Sequence, residues 1–306
     1  MLFNLILIHL KNIILKKTEP IKNLLNQINE ERIEQIKREV QQKESWVINI
    51  ALDGSRFDTT HIEMVLDFIR DNKTPKRPET LNKLMVQLIS SAFSYNRIRK
   101  QLRKINREKF NDDNYPIRED HEKILAYLLN EERFKNEDYW YPEKLEFLIK
   151  EIENKGQYKE IGELTDYWLE HIMWILRTAP AKLLELTNQG LTDFYDKVDG
   201  ICNKDYRKDY YKKSEELWGF ATEISIGIKN VGSNLMCDFL KESGFTDYAK
   251  MDIHMIRSMS EVLNVNNCSE LTDFESFVVA QWLADKIKIT PFKLDKILYV
   301  YGVYHN

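Results

Sequence analysis

Two short stretches of the sequence contain residues whose types and spacing could do chemistry. Residues 228–232 read IKNVG, and Asn230 and Gly232 are the residue types that best adopt a positive φ. A tight turn of this kind before a helix points backbone amides outward, which is an arrangement that binds phosphate. Residues 251–254 read MDIH, and a fixed carboxylate such as Asp252 can stabilise developing positive charge or activate a water molecule.

Each stretch also has a purely structural interpretation. IKNVG could be an ordinary connection between two helices, since turns of this length are common. Asp252 precedes the helix-like pattern IHMIRSMSEVL and could be only its N-cap, a contribution of about 1 kcal/mol. His254 could pack, contact a phosphate or take part in chemistry.

The order of these features resembles the helix-hairpin-helix DNA glycosylase superfamily, the group that includes endonuclease III. A hairpin is followed by a helix, by Gly244, by a loop and by the acid-x-histidine, and 18 residues separate Asn234 from Asp252, as in endonuclease III. Residues 88–102 and 290–302 are similar to an early and a closing helix of that family. The resemblance extends over residues 60–306, with 105–165 as an insertion.

The resemblance implies a mostly α, two-lobed glycosylase fold with a helix-hairpin-helix motif. We expect a helical extension at 1–78 and the glycosylase domain at 79–306, with its charged helical insertion at about 105–165. The implied substrate is double-stranded DNA with a damaged, mismatched or modified base, which is flipped out before its glycosidic bond is hydrolysed. The residue types do not indicate which base is removed.

The implied catalytic positions are Asp252 and Asn234. Asp252 would stabilise the charge on the sugar and orient the attacking water. Asn234 stands where family members often have a lysine, and an amide cannot form a Schiff base. We therefore expect a monofunctional enzyme that leaves an abasic site without cutting the strand.

The implied DNA contacts come from three parts of the chain. The hairpin would hold a phosphate, with a monovalent cation at its carbonyls as a further option. The end of the early helix would supply a wedge for the vacated base position and basic side chains for phosphates, against the alternatives of core packing and a solvated helix face. The hairpin and its surroundings contribute Lys229, Asn230, Val231, Gly232, Ser233, Lys250 and His254; the wedge candidates are Phe93, Tyr95 and Asn96; the basic residues are Arg97, Arg99, Lys100 and Arg103.

Composition limits cofactors and partners. Cys202, Cys237 and Cys268 are too few and too scattered for an iron-sulfur cluster, and we expect neither a metal nor another cofactor. A net charge of −4 argues against non-specific coating of nucleic acid, yet residues 97–109 carry seven basic side chains and one acidic one. The apolar N-terminus is interrupted by polar residues, so we expect no membrane association, and a cytoplasmic monomer.

Local patterns give further expectations. Residues 45–52 look more like a strand than a helix, and Thr60 with Glu63 predicts a capping box. TPKRP at 74–78 should break the chain, and Pro180 should begin a second helix after 164–176. At most two aromatic residues would line a base pocket, from the set Tyr139, Trp140, Tyr141, Trp168 and Trp174.

Three other functions are compatible with these residues. The chain could be a non-catalytic helix-hairpin-helix DNA-binding protein that has lost its chemistry with the lysine. It could be a bifunctional enzyme that uses another lysine such as Lys250. It could also be a helical protein-interaction module that binds a partner through the acidic segment at 111–170.

Overall fold

The computed structural model describes residues 25, 28–54, 57, 59–93, 166–206, 209–264 and 271–305. These residues form ten α-helices and contain no strand, so the expectation of a mostly α protein is confirmed. A π-helical segment, Val65–Arg70, continues α2. The helices are α1 (Glu30–Asp53), α2 (Thr59–Met64), α3 (Leu81–Phe93), α4 (Asp166–Leu186), α5 (Leu191–Cys202), α6 (Tyr210–Ile226), α7 (Ser233–Glu242), α8 (Ile253–Leu263), α9 (Asp273–Ile287) and α10 (Pro291–Tyr304).

The first helix corrects the expectation of a strand at 45–52, because these residues form the C-terminal part of α1. The buried residues Ile36, Val40, Val47 and Ala51 recur at helical spacing. The Asn29 side chain caps the start of the helix by accepting from the Arg32 amide, and Gly54 at φ 69° ends it. One apolar stripe therefore continues across a segment whose local pattern suggested period two.

Two other local expectations are wrong. Helix α2 begins at Thr59, so Thr60 lies inside the helix and is not its N-cap. The second helix expected to begin near Pro180 is not a separate element, since α4 (Asp166–Leu186) runs unbroken through Pro180. An interior proline lacks an amide hydrogen and crowds the carbonyl four residues earlier. The buried residues Ile175, Leu176, Ala179 and Leu183 supply packing on both sides of Pro180.

The described residues group into two compact units. The first unit contains the described residues within Met1–Thr74, Asp205–Glu215 and Thr246–Asn306. Its centre is α9 and α10, and α10 packs against α1, α8, α9 and the π-helical segment. Within the described ranges, no helix is both long enough and apolar enough to cross a bilayer.

The second unit contains the described residues within Pro75–Lys204 and Glu216–Phe245. Helix α3 packs against α4 and α7 through a fully buried face that includes Leu84, Leu88 and Ile89. The expected break at 74–78 is present as chain without helix or strand, and it contacts α5. Arg77 donates to both carboxylate oxygens of Asp199 at 2.5 and 2.6 Å, and this pairing raises the pKa of the Arg77 guanidinium.

The expected division into 1–78 and 79–306 stays a prediction. The units are defined by packing, and they place the described helices before residue 75 together with those after residue 245. The part of the chain at 105–165 lies outside the described residues.

Candidate functional site

The hairpin connects α6 to α7 within the second unit. Helix α6 ends with two hydrogen bonds that each join residues three apart in sequence. The Gly227 amide donates to the Ile224 carbonyl at 3.4 Å, and the Ile228 amide donates to the Ser225 carbonyl at 2.9 Å. The Val231 amide then bonds to the Ile228 carbonyl at 3.3 Å, which closes the turn, and Asn230 has φ 68°. The expected left-handed conformation is therefore present at Asn230.

Gly232 differs from this expectation because its φ is −92°, in the extended region. It is the N-cap of α7, and it has no side chain with which to cap the first amides of the helix. Lys229, Asn230 and Gly232 are exposed, whereas Val231 is buried. The hairpin thus presents an exposed tip beside an uncapped helix start.

The two residues that begin α7 are half-buried. The Ser233 hydroxyl lies 2.8 Å from the Thr222 hydroxyl of α6, a bond that fixes the two helices of the motif against each other. Asn234 follows in the first turn of α7. Its amide side chain supplies no nucleophile for a Schiff base.

Helix α7 ends as the sequence predicts. Gly244 has φ 93°, the Phe245 amide bonds to the Leu240 carbonyl at 3.2 Å, and the Gly244 amide bonds to the Lys241 carbonyl at 3.1 Å. This is the Schellman arrangement. A Cβ at position 244 would lie 2.9 Å from the Pro75 carbonyl oxygen, so both conformation and space require glycine.

Asp252 is the N-cap of α8 in the first unit. It has φ −93° and ψ 170°, and its Oδ1 accepts from the Met255 amide at 2.8 Å. Within the described part of the chain, no hydrogen bond to its Oδ2 is present. The residue is half-buried, and one of its carboxylate oxygens fixes the side chain as the cap of α8.

His254 packs where α8 meets α10. Its Nδ1 lies 3.1 Å from the Gly302 carbonyl oxygen, and its ring makes an edge contact with Tyr299 at 6.0 Å between centroids. A Cβ on Gly302 would lie 2.7 Å from the His254 carbonyl oxygen and 2.7 Å from the Ser258 hydroxyl. The closing helix therefore approaches the helix after Asp252 backbone to backbone, and His254 has a packing role.

Sequence reasoning missed a cluster in which His61 of α2 contacts two tyrosines of α10. His61 stacks near Tyr299, with centroids 6.1 Å apart, and its Nδ1 lies 3.1 Å from the Tyr304 hydroxyl. The tyrosine-rich string LYVYGVY at 298–304 was the available signal. These contacts attach α2 to α10 in the first unit.

Sequence reasoning also missed the support of the hairpin by α4. Trp174 was predicted only as a pocket candidate, and it contacts Lys229 of the hairpin. The Thr178 hydroxyl, four residues further on, accepts from the Lys229 amide at 3.2 Å. The sequence shows that Trp174 and Thr178 lie four residues apart on one helix face, but it does not show that both contact Lys229.

Several predicted site residues cannot be placed. Phe93 is the last residue of α3, and its side chain lies outside the described part of the structure. The side chain of Trp168 in α4 does too. Residues that lie wholly outside the described residues are Tyr95, Asn96, Arg97, Arg99, Lys100, Arg103, Tyr139, Trp140 and Tyr141.

Lys250 is half-buried, and its carbonyl accepts from the Asp252 amide at 3.1 Å. This bond fixes the backbone just before α8. The backbone of Lys250 therefore helps to orient Asp252.

Metal ligands are not grouped in the described ranges, where no set of three or more His, Cys, Asp or Glu side chains could hold an ion. Cys202 and Cys237 form no disulfide within these ranges, and Cys268 lies outside them. A cleft of about 650 Å³ in the first unit is lined by Phe68, Asn72, Lys73, Lys288, Thr290 and Lys293, among others. Its lysines pair with Asp67, Asp285 and Glu44, and none of the predicted site residues lines it.

Comparison of the chain with protein-family models, curated proteins and solved structures found no match.

Proposed function

We propose that the chain is a monofunctional DNA glycosylase of the helix-hairpin-helix type. The observation that carries this proposal is the state of Asp252, whose carboxylate is fixed through Oδ1 at the start of α8 and has no hydrogen bond to Oδ2 within the described residues. Its spacing of 18 residues from Asn234, which follows the left-handed turn at Asn230, supports the same assignment.

The hairpin would bind the phosphate backbone beside the target nucleotide. The uncapped amides at the start of α7 and the positive end of its helix dipole favour an anion there. Lys229 adds a positive charge at the exposed tip. A monovalent cation could share the carbonyls of the turn.

Asp252 would act on the sugar of the flipped nucleotide. As the bond between the base and the sugar C1′ breaks, positive charge develops on the sugar, and a nearby carboxylate stabilises it. A water molecule adds its oxygen to C1′ and gives up one proton, and the base leaves with a proton on its former glycosidic nitrogen. The product is an abasic site with an intact strand, because Asn234 cannot attack C1′ to form a Schiff base.

The test is release of free base from duplexes that contain damaged, mismatched or naturally modified bases. We expect release by the wild type and at least a hundredfold slower release by Asp252→Asn, in keeping with the usual contribution of such a group. Asparagine retains the capping oxygen, so the substitution removes the charge and preserves the N-cap. Nicking of the product strand should require alkali.

A matched control is Asp209→Asn. Asp209 precedes α6, and its Oδ1 accepts from the Lys212 amide at 3.0 Å, so it is another capping aspartate. Base release by Asp209→Asn should equal that of the wild type. Equal release by Asp252→Asn and the wild type would exclude Asp252 from the chemistry.

The other three functions give different results. A covalent adduct trapped by borohydride would indicate the bifunctional enzyme. Salt-dependent duplex binding without base release from any substrate would indicate the non-catalytic DNA-binding protein. If the protein neither binds duplex DNA nor releases a base, the remaining function is the protein-interaction module.

A further inference from the structure

One face of α4 supports the hairpin at three positions that are each one turn apart. The Lys229 ammonium lies 3.6 Å from the centroid of the Trp174 ring. The Lys229 amide donates to the Thr178 hydroxyl at 3.2 Å. The side chain of Lys182 passes so close to Gly227 that an added Cβ would lie 2.5 Å from its Cδ. Residues four apart on a helix lie on the same face, so these contacts form a single row.

The Thr178 hydroxyl links α4 to the hairpin backbone. It donates to the Trp174 carbonyl of its own helix at 2.7 Å and accepts from the Lys229 amide. The hydroxyl thus donates one hydrogen bond and accepts another in a continuous chain of bonds. The backbone of the hairpin at Lys229 is thereby fixed relative to the residue that carries the indole.

The ammonium of Lys229 differs from those of Lys182 and Lys197, two other lysines of the second unit. Lys182 pairs with Glu185 at 3.1 Å, and Lys197 pairs with Glu223 at 3.0 Å. Lys229 is exposed and has no ion pair within the described residues. An ammonium over an indole face keeps hydrogen-bond donors directed away from the ring, and these can contact an anion.

We propose that Trp174 is a positioning residue that holds the Lys229 ammonium for contact with a backbone phosphate of DNA. The Arg177 guanidinium also lies near this ring, with its Cζ 5.8 Å from the centroid, so a second positive charge reinforces the site. This inference rests on the proposed DNA-binding function and adds a residue outside the hairpin to it.

The test is binding of a short duplex with a tetrahydrofuran abasic-site analogue, measured over a series of salt concentrations. Lys229→Gln should weaken binding and reduce the slope of log affinity against log salt by about 0.9, as expected for one lost phosphate contact. Trp174→Leu should lower affinity about two- to fivefold, the range of an exposed cation–π contact. Trp174→Phe keeps a ring and should restore part of the loss.

The double variant distinguishes positioning from simple packing. In the Lys229→Gln background, Trp174→Leu should produce no further loss of affinity, because the ammonium that it positions is gone. An equal loss in both backgrounds would overturn the inference. Thermal unfolding of each variant shows whether α4 still packs.

A matched control is Lys197→Gln, since the Lys197 ammonium also lies over a ring, 4.9 Å from the centroid of Phe220. Its pairing with Glu223 predicts an unchanged salt slope. If the wild type binds the duplex and Lys229→Gln leaves the slope of log affinity against log salt unchanged, this inference alone is refuted. A wild type that does not bind the duplex would refute both the inference and the proposed glycosylase.

Discussion

The carboxylate of Asp252 has a structural role and a proposed chemical role, and substitutions can separate them. Asp252→Ala removes the acceptor for the Met255 amide and should lower the free energy of unfolding by about 1 kcal/mol. Asp252→Asn keeps an acceptor oxygen and should leave this free energy within about 0.5 kcal/mol of the wild type. Urea denaturation measures both. Equal losses in the two variants would mean that the charge itself stabilises α8.

Tyr195 gives the second unit a predictable response to alkali. Burial raises the pKa of its hydroxyl to about 12, and this hydroxyl donates to the Pro78 carbonyl at 2.5 Å. The unfolded chain ionises near the ordinary value of 10.0, so folding loses stability as the pH rises from there toward 12. Below pH 10 the full contribution is present.

The measurement for Tyr195 compares the wild type with Tyr195→Phe across this pH range. At neutral pH the variant should be less stable by about 1 kcal/mol because the hydrogen bond to Pro78 is lost. The difference should shrink as the pH rises above 10, because phenylalanine does not ionise. A constant difference up to pH 12 would show that the pKa of Tyr195 is the same in the folded and unfolded chains.

At the scale of elements, the crossing of α8 and α10 depends on Gly302. The Cβ of an alanine there would meet the His254 carbonyl at 2.7 Å, and backbone cannot move aside as a side-chain end can. Gly302→Ala should therefore destabilise the protein by about 1 to 3 kcal/mol and, if the proposed glycosylase function holds, slow base release by displacing α8. Urea denaturation and single-turnover base release measure the two effects.

Gly219→Ala is the matched control for Gly302→Ala. Gly219 is an exposed residue within α6, and its added Cβ would meet nothing within 4 Å. This variant should be more stable by about 0.5 to 1 kcal/mol, because alanine favours the helix. Destabilisation by both variants to the same extent would show that the contact with His254 is unimportant.

The elements that the sequence predicted correctly are those whose signals lie within a few residues. The turn at Asn230, the end of α7 at Gly244 and the break at 74–78 each follow from backbone preferences of the residues themselves. The errors at 45–52 and at Pro180 have one cause. In both places, packing against distant helices continues a helix through a segment whose local pattern suggested a change.

The candidate site was predictable to a similar extent. The N-cap geometry of Asp252 follows from an aspartate before an amphipathic pattern. The support of Lys229 by Trp174 and Thr178 was not predictable, because these residues are about fifty positions apart and only the fold pairs them. The catalytic role of Asp252 stays a prediction, since the cap accounts for Oδ1 and leaves the role of Oδ2 to the test of base release.

At the scale of the whole molecule, the two parts of the chain at either end of the described sequence form one compact unit. Helix α1 contacts α8 and α10 directly. Arg32 donates to the Val262 carbonyl at 2.7 Å, Lys43 pairs with Glu261 at 2.9 Å, and the Lys43 ammonium lies 3.5 Å from the centroid of the Tyr301 ring. Asp252 therefore begins a helix that α1 helps to hold.

This packing predicts the outcome of removing the first 74 residues. A chain that begins at Pro75 lacks the buried face of α1 and exposes apolar residues of α9 and α10 that are otherwise covered. We expect it to lose cooperative unfolding of the first unit, with a smaller dependence of the unfolding free energy on urea, because less surface is buried. Near-ultraviolet circular dichroism and urea denaturation of the two chains measure this.

Point substitutions in α1 provide the control, because they test the same surface without shortening the chain. Val47 is fully buried, and Val47→Ala should lower the free energy of unfolding by about 2 kcal/mol. Leu52 on the same helix is 60% exposed, and Leu52→Ala should change it by less than about 0.5 kcal/mol. If the chain from Pro75 instead unfolds cooperatively and releases base, α1 is dispensable, and residues 79–306 form the independent domain that the sequence suggested.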